Sequence, residues 1–250
     1  MLLKNCLIST RTEIRLGFSG TLGLLISLGL ALGPGTARAQ IGNLMMWGDT
    51  ESGQLAEPAP PEVFTKVANY YATVVGLRQD GSIKVWGHEE DIVDNVPTGS
   101  GYTDVTVMSE AGFAINQSGQ IVGWGNDYSV GLLSGIPPGS GYVSVVGAYQ
   151  AVFALNQAGE ILAWGSDEYL LISQRPTGGG FTKVVENGDA TALALAADGS
   201  IRAWGYDEDV VDNVPAGTGY RDIAGAYHGA VAIKEDGTLV AWGGAGSLHD

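Results

Sequence analysis

Short runs of alternating or continuous apolar residues, separated by glycine-rich polar text, return along this chain at a nearly fixed step. The pair Trp-Gly stands at 47, 86, 124, 164, 204 and 242, with spacings of 39, 38, 40, 40 and 38. Two further columns keep the same step. An aromatic residue (Phe64, Tyr102, Tyr142, Phe181, Tyr220) is followed three positions on by an aliphatic one (Val67, Val105, Val145, Val184, Ile223). A second aliphatic column (Leu77, Ile115, Leu155, Leu195, Ile233) is followed four positions on by glycine (Gly81, Gly119, Gly159, Gly199, Gly237). Five full units are present.

Each unit holds three strand-like runs, written YVSVVG, AVFAL and EILAWG in one of them. The second and third are separated by a short glycine turn, Asp80-Gly81, Asp198-Gly199 or Asp236-Gly237 in three units. That pair predicts a two-residue hairpin, because glycine tolerates positive φ. Runs such as ATVVGL, ATALALA and GAVAI are apolar on both faces and must be covered on both sides. Three-stranded sheets achieve this by stacking face to face around an axis, and a step of about 40 residues lies in the propeller range. Helical repeats are excluded, since glycine and β-branched residues dominate and no long helical period occurs. The predicted fold is therefore an all-β propeller of five to six short three-stranded blades, incompletely closed. Six Trp strands stand against five of every other column. Either the strand around Met45-Met46-Trp47 fills a gap beside the last blade or the ring stays open. The indoles are expected between blades, each burying about 150–250 Å², an upper limit of about 4–6 kcal/mol at ~25 cal/mol per Å².

Segments such as LAADGSIRAWG, IKEDGTLVAWG and GYRDIAGAYHGAVAI resemble repeats of the RCC1 superfamily, and in their short length its secreted β-lactamase inhibitor protein II branch. The resemblance covers nearly all of residues 40–250. It implies compact three-stranded blades and the binding, with inhibition, of an extracytoplasmic enzyme. The sequence departs from the family in two ways. The Gly-x-x-His segment survives only at Gly225-Ala226-Tyr227-His228, and the loop after Trp-Gly carries acidic text such as HEEDIVDNVP. WD40 repeats fit less well, because their Trp-Asp ending is absent.

Residues 1–39 read as an export signal: Lys4, Arg11 and Arg15, then a mostly apolar run from Gly17 to Gly33, then Ala37-Arg38-Ala39 as a cleavage site. The propeller domain is then 40–250, and the expected location is secreted or periplasmic. An uncleaved anchor is the alternative. Of the chain's 12 bases and 27 acids, the signal takes Lys4, Arg11, Arg15, Arg38 and Glu13, leaving 8 against 26, a net −18. Nucleic acid is excluded as a partner, since phosphate binding needs clustered bases. So is a membrane once the signal is cleaved; acidity favours a basic partner instead. Cys6 is the one cysteine and lies within the signal, so disulfides, thiolate nucleophiles and Cys-ligated zinc are excluded from the domain.

Catalytic motifs are scarce. His88, His228 and His249 lack triad or zinc-helix spacing, and no nucleophile elbow, P-loop or dinucleotide fingerprint occurs. The expectation is a non-enzymatic protein without cofactor or assigned metal site. What varies is the bend between the first and second strands, occupied by Tyr71, Ser109, Tyr149, Gly188 and Tyr227, each followed by Ala72, Glu110, Gln150, Asp189 or His228. All such bends fall on one rim of a propeller. From them Tyr71, Glu110, Tyr149, Gln150, Asp189, Tyr227 and His228 are candidate residues for binding a protein partner. Tyrosine is amphipathic and loses little rotamer entropy on binding. Ordinary packing against neighbouring blades is the alternative for the tyrosines. The long loops with Tyr128, Tyr169, Tyr206 and the acidic stretches 89–94 and 207–212 are assigned to the opposite rim. There they would form a carbohydrate- or calcium-binding surface, the alternative function.

Overall fold

The computed structural model describes residues 62–128 and 130–244, with the backbones of two short strands, β1 (Gly23–Leu25) and β2 (Met45–Trp47). β1 and β2 pair antiparallel with each other, Gly23 opposite Trp47. The strand at Met45–Trp47 therefore completes no blade. The rest of the segment expected to be an export signal, with its expected cleavage site, lies outside the described residues.

Five three-stranded antiparallel sheets follow. They are β3 (Phe64–Tyr70), β4 (Thr73–Arg78) and β5 (Ile83–Gly87), then β6 (Asp104–Val107), β7 (Ala111–Ile115) and β8 (Ile121–Gly125). Next come β9 (Tyr142–Ala148), β10 (Ala151–Asn156) and β11 (Ile161–Gly165), then β12 (Phe181–Glu186), β13 (Thr191–Ala196) and β14 (Ile201–Gly205). The last blade is β15 (Tyr220–Ala226), β16 (Gly229–Lys234) and β17 (Leu239–Gly243). No hydrogen-bonded ladder closes the ring among the described residues.

The periodic columns are the seams between blades. Trp124 packs with Val75, Leu77, Ile83 and Val85 of the preceding blade, and Trp164, Trp204 and Trp242 repeat the arrangement. Each indole is more than nine-tenths buried and donates its N–H to a carbonyl of the segment entering its own blade. The acceptors are Ile92 (3.1 Å), Leu132 (2.7 Å), Leu171 (2.9 Å) and Val210 (3.0 Å). A buried indole thus keeps its one polar group paired. Ile92 and Val210 belong to the acidic stretches, which wind into single-turn helices α1 (Glu90–Val93) and α2 (Glu208–Val211). Their apolar residues plug the seam while the acids, apart from the buried Asp207, stay at the surface.

Among the described residues no backbone ladder joins one blade to the next, and side chains link the first strands. Lys66 pairs with Asp104, whose other oxygen accepts the Val145 N–H at 2.8 Å. Lys183 donates to Asp222 at 2.6 Å and to the Ile223 carbonyl at 2.9 Å. The first strands of successive blades lie against one another, β3 on β6, β6 on β9, β9 on β12 and β12 on β15, and so line a common axis.

The glycine turns between second and third strands differ from the predicted two-residue form. Arg78 N–H bonds to Ser82 C=O and Gly81 N–H to Arg78 C=O, both at 2.9 Å, with Gly81 at φ +78°. This is a three-residue loop, a tight turn followed by a left-handed glycine. Asp80, Asp198 and Asp236 do not drive a tighter turn; each accepts the N–H two residues on. The Gly81 carbonyl then accepts the N–H of Tyr102, and the same link joins Gly119 to Tyr142, Gly159 to Phe181 and Gly199 to Tyr220.

Candidate functional site

Within a blade the chain runs up, down and up, so the end of the third strand returns to the bend between the first two. Five backbone bonds show this directly. The N–H two residues after each Trp donates to a bend carbonyl: His88 to Ala72, Asn126 to Glu110, Ser166 to Gln150, Tyr206 to Ala190 and Gly244 to His228, at 2.8–3.1 Å. The glycine after each Trp makes this approach feasible. A Cβ on Gly87, Gly125, Gly165, Gly205 or Gly243 would sit 2.0–2.5 Å from that carbonyl oxygen.

The expected division into two candidate rims is therefore wrong. Tyr128, Tyr169, Tyr206 and the acidic stretches share one face with Tyr71, Tyr149 and Tyr227. The rings prove it. Tyr149 meets Tyr169 at 5.2 Å and Tyr169 meets Tyr206 at 5.5 Å, both edge to face. The signal that could have revealed this was strand parity: three antiparallel strands put the first bend and the final exit at the same end.

All seven predicted binding residues lie on the bends. Tyr71, Tyr149 and Tyr227 are 70%, 40% and 56% exposed, and Tyr128 and Tyr206 add 78% and 62%. Glu110, Gln150 and Asp189 are half-buried. Tyr71, Ala190 and His228 adopt positive φ (45°, 49° and 56°), a conformation that costs a non-glycine residue about 1–3 kcal/mol. The structure does not gather the seven into one cluster. It brings together a track across the last three blades: Tyr149, Tyr169 and Tyr206, then Asp207 with Asp189 and His228, then Tyr227, whose ring lies 4.1 Å from the imidazole. Tyr71 instead packs on Tyr70, at 4.9 Å.

Several carboxylates on this face serve structure. Asp127 accepts the N–H groups of Leu133 and Ser134, and Asp167 those of Ile172 and Ser173. The Ser134 hydroxyl and then these N–H groups hold the Asp127 carboxyl below the usual range, and the Ser173 N–H foremost holds that of Asp167. Burial pushes the Glu186 carboxyl up to about 7, against the opposing effect of the Gly188 N–H, which it accepts at 2.6 Å. Burial, and then Tyr71, Tyr149 and Glu186, push the Tyr70 hydroxyl up to about 12. Neither acidic helical turn brings three metal-ligating groups of its own together among the described residues. Asp189, Asp207 and His228 do converge, from three separate segments.

The acids stand at both ends, but the bases are segregated. All eight Lys and Arg of residues 40–250 lie toward the opposite end or on the connections between blades. Arg78 and Lys234 end their strands opposite Phe64 and Tyr220, Lys66 and Lys183 stand opposite Leu77 and Leu195, and Lys84 and Arg202 opposite Gly76 and Ala194. Arg221 follows Tyr220 at the start of β15. Arg175 binds the Ile161 and Ile172 carbonyls beside an open hollow of about 300 Å³ that also includes Glu160 and Gly178.

Compared by sequence, the chain matches no family profile and no curated protein. Its architecture does have counterparts. Yeast RCC1 (Prp20), solved bound to Kap60, superposes with a TM-score of 0.65 at 14% identity, covering 90% of this chain and 68% of that one. The fold is a β-propeller. The CRINKLY ectodomain of the Arabidopsis thaliana receptor kinase ACR4 superposes with a TM-score of 0.63 at 20% identity, covering 81% and 76%. The entire ectodomain of the Physcomitrella patens receptor kinase CR4 gives 0.60 at 18% identity over 72% of this chain, which spans about half of that one, 53%. At these identities the likeness concerns the propeller alone.

Proposed function

We propose that this chain is an exported, non-enzymatic propeller whose bend face binds a protein partner with a basic surface. The observation that carries the reading is the segregation just described. One face displays five exposed tyrosines among carboxylates, while the lysines and arginines stand toward the other end or between blades. Rigid tyrosines supply contact area at low entropic cost, and an acidic surround steers a basic partner and suppresses acidic ones. The export signal over 1–39, the domain over 40–250 and a secreted or periplasmic location belong to this proposal. Support also comes from the propeller neighbours, among which yeast RCC1 was solved with a protein bound. The finer form, following the resemblance to β-lactamase inhibitor protein II, is that the face covers the mouth of an extracytoplasmic enzyme and inhibits it.

The test is quantitative capture of proteins from the native extracytoplasmic fraction on immobilised protein, comparing wild type with a Y149A/Y206A/Y227A variant. A hot-spot tyrosine is worth more than about 1 kcal/mol, so the triple change should weaken capture at least tenfold, and added salt should slow association. Unchanged capture by a folded triple variant would overturn the reading.

A further inference from the structure

We infer that Asp189, Asp207 and His228 form a binding site for a divalent transition-metal ion, of the zinc class, on the bend face between the fourth and fifth blades. Their ligand atoms all lie within 4.8 Å of one another. The imidazole Nδ1 is 2.9 Å from Asp189 Oδ2 and 3.3 Å from Asp207 Oδ2. Zinc bound to nitrogen and carboxylate oxygen at about 2.0–2.2 Å in tetrahedral geometry separates its ligands by roughly 3.3–3.5 Å. The two nitrogen–oxygen separations fall within about half an ångström of that value, and the two carboxylate oxygens lie within 4.8 Å of each other.

Two further observations separate this cluster from an ordinary surface ion pair. Asp189 Oδ2 is buried and accepts no hydrogen bond, although the imidazole nitrogen stands beside it. One Nδ1–H cannot serve two carboxylate oxygens well, and a buried carboxylate oxygen without a partner is costly. A dication would satisfy both oxygens and the nitrogen together. In addition, Asp207 is held in place. Its side chain is 7% exposed, its N–H donates to Thr191 Oγ1 at 2.8 Å, and its Oδ1 accepts the Asp209 and Val210 N–H groups at 3.1 and 3.3 Å. Its counterpart Asp127 spends both oxygens on backbone N–H groups, whereas Asp207 turns Oδ2 to His228. Asp189 is steadied by its own N–H bond to Asn187 Oδ1 at 2.9 Å.

The donor set narrows the ion. Calcium and magnesium take oxygen ligands, six or more of them for calcium, whereas an imidazole with two carboxylates suits zinc, manganese or iron. Three protein ligands leave a coordination position open.

The test is titration of the folded protein, first freed of metal by chelator, with Zn²⁺ by calorimetry and with Co²⁺ by visible absorption. The expected result is one ion per chain, cobalt bands of low-coordinate intensity, and a rise in melting temperature that EDTA reverses. H228Q should lose the bands and the melting shift, as should D189N. H228Q changes a half-exposed side chain, and its melting temperature without metal separates loss of ligand from loss of fold. D91N, on the connection between the first and second blades, should bind as wild type does. Absence of stoichiometric binding by the wild-type protein, or equal binding by folded H228Q, would overturn the assignment.

Discussion

The two ends of these blades are built from the same number of chain reversals and use their side chains in opposite ways. At the turn end the chemistry is spent on the scaffold. Asp80, Asp198 and Asp236 cap their own loops, and the turn glycines hand a carbonyl to the next blade's aromatic residue. At the bend end the same N–H to carbonyl bond recurs five times, but the bend lengths and the side chains differ from blade to blade. Repetition within the chain marks what packing requires. Variation at the same place in every blade marks what is left for recognition.

The largest effect should come from the seams that both ends depend on. Trp204→Ala removes an indole that meets Phe153 edge to face at 5.4 Å and bonds to Leu171, and is expected to cost about 3–5 kcal/mol in denaturant unfolding. Next comes the difference between the ends themselves. Gly165→Ala on the bend side combines φ +107° with a Cβ 2.4 Å from the Gln150 carbonyl, and should cost more than about 2 kcal/mol. Gly178→Ala near the turn side has φ +90° but nothing within 4 Å, so only the backbone strain of about 1 kcal/mol should appear. Equal losses would show that close approach at the bend is not what the Trp-Gly pair provides.

The smallest effects concern pH, and the two ends should respond with opposite sign. Turn-end Asp198 is held below the usual carboxylate range, chiefly by the Ser200 hydroxyl and N–H. Its contribution is complete above the unfolded value of about 3.8 and is lost as pH falls through the lower folded value. Bend-end Glu186 is raised to about 7. Its contribution is complete below its unfolded value, about 4.3, and is lost as pH rises through about 7. E186Q should therefore melt like wild type near pH 4 and above it at pH 8, while D198N should differ from wild type mainly on the neutral side and converge with it in strong acid. A melting profile in which E186Q tracks wild type from pH 4 to 8 would show that this carboxyl does not feel its burial.

Much of this molecule is legible in its repeat. The five units, three strands in each, the seam position of the Trp column and the placement of the seven candidate residues on bends all follow from period and apolar pattern. Three features were not. The acidic stretches looked like free loops because their charges dominate the text, yet Ile92 and Val210 within them are fully buried and anchor indoles. The Asp-Gly pairs looked like two-residue turns because that signal is shared with the three-residue form, which differs only in where the ladder ends. The two aromatic sets looked like separate surfaces because some 20 residues lie between Tyr149 and Tyr169.

The sequence by itself determined the module and its count, since a hydrophobic period is a local property that sheet pairing must obey. Only the tertiary structure decided which residues share a face and which touch across a seam. Asp189, Asp207 and His228 are 18 and 21 positions apart in turn, and no local pattern links them. They meet because the exit of one blade folds back onto its own bend while the next blade leans its bend against both. That arrangement is set by how twisted sheets stack around an axis.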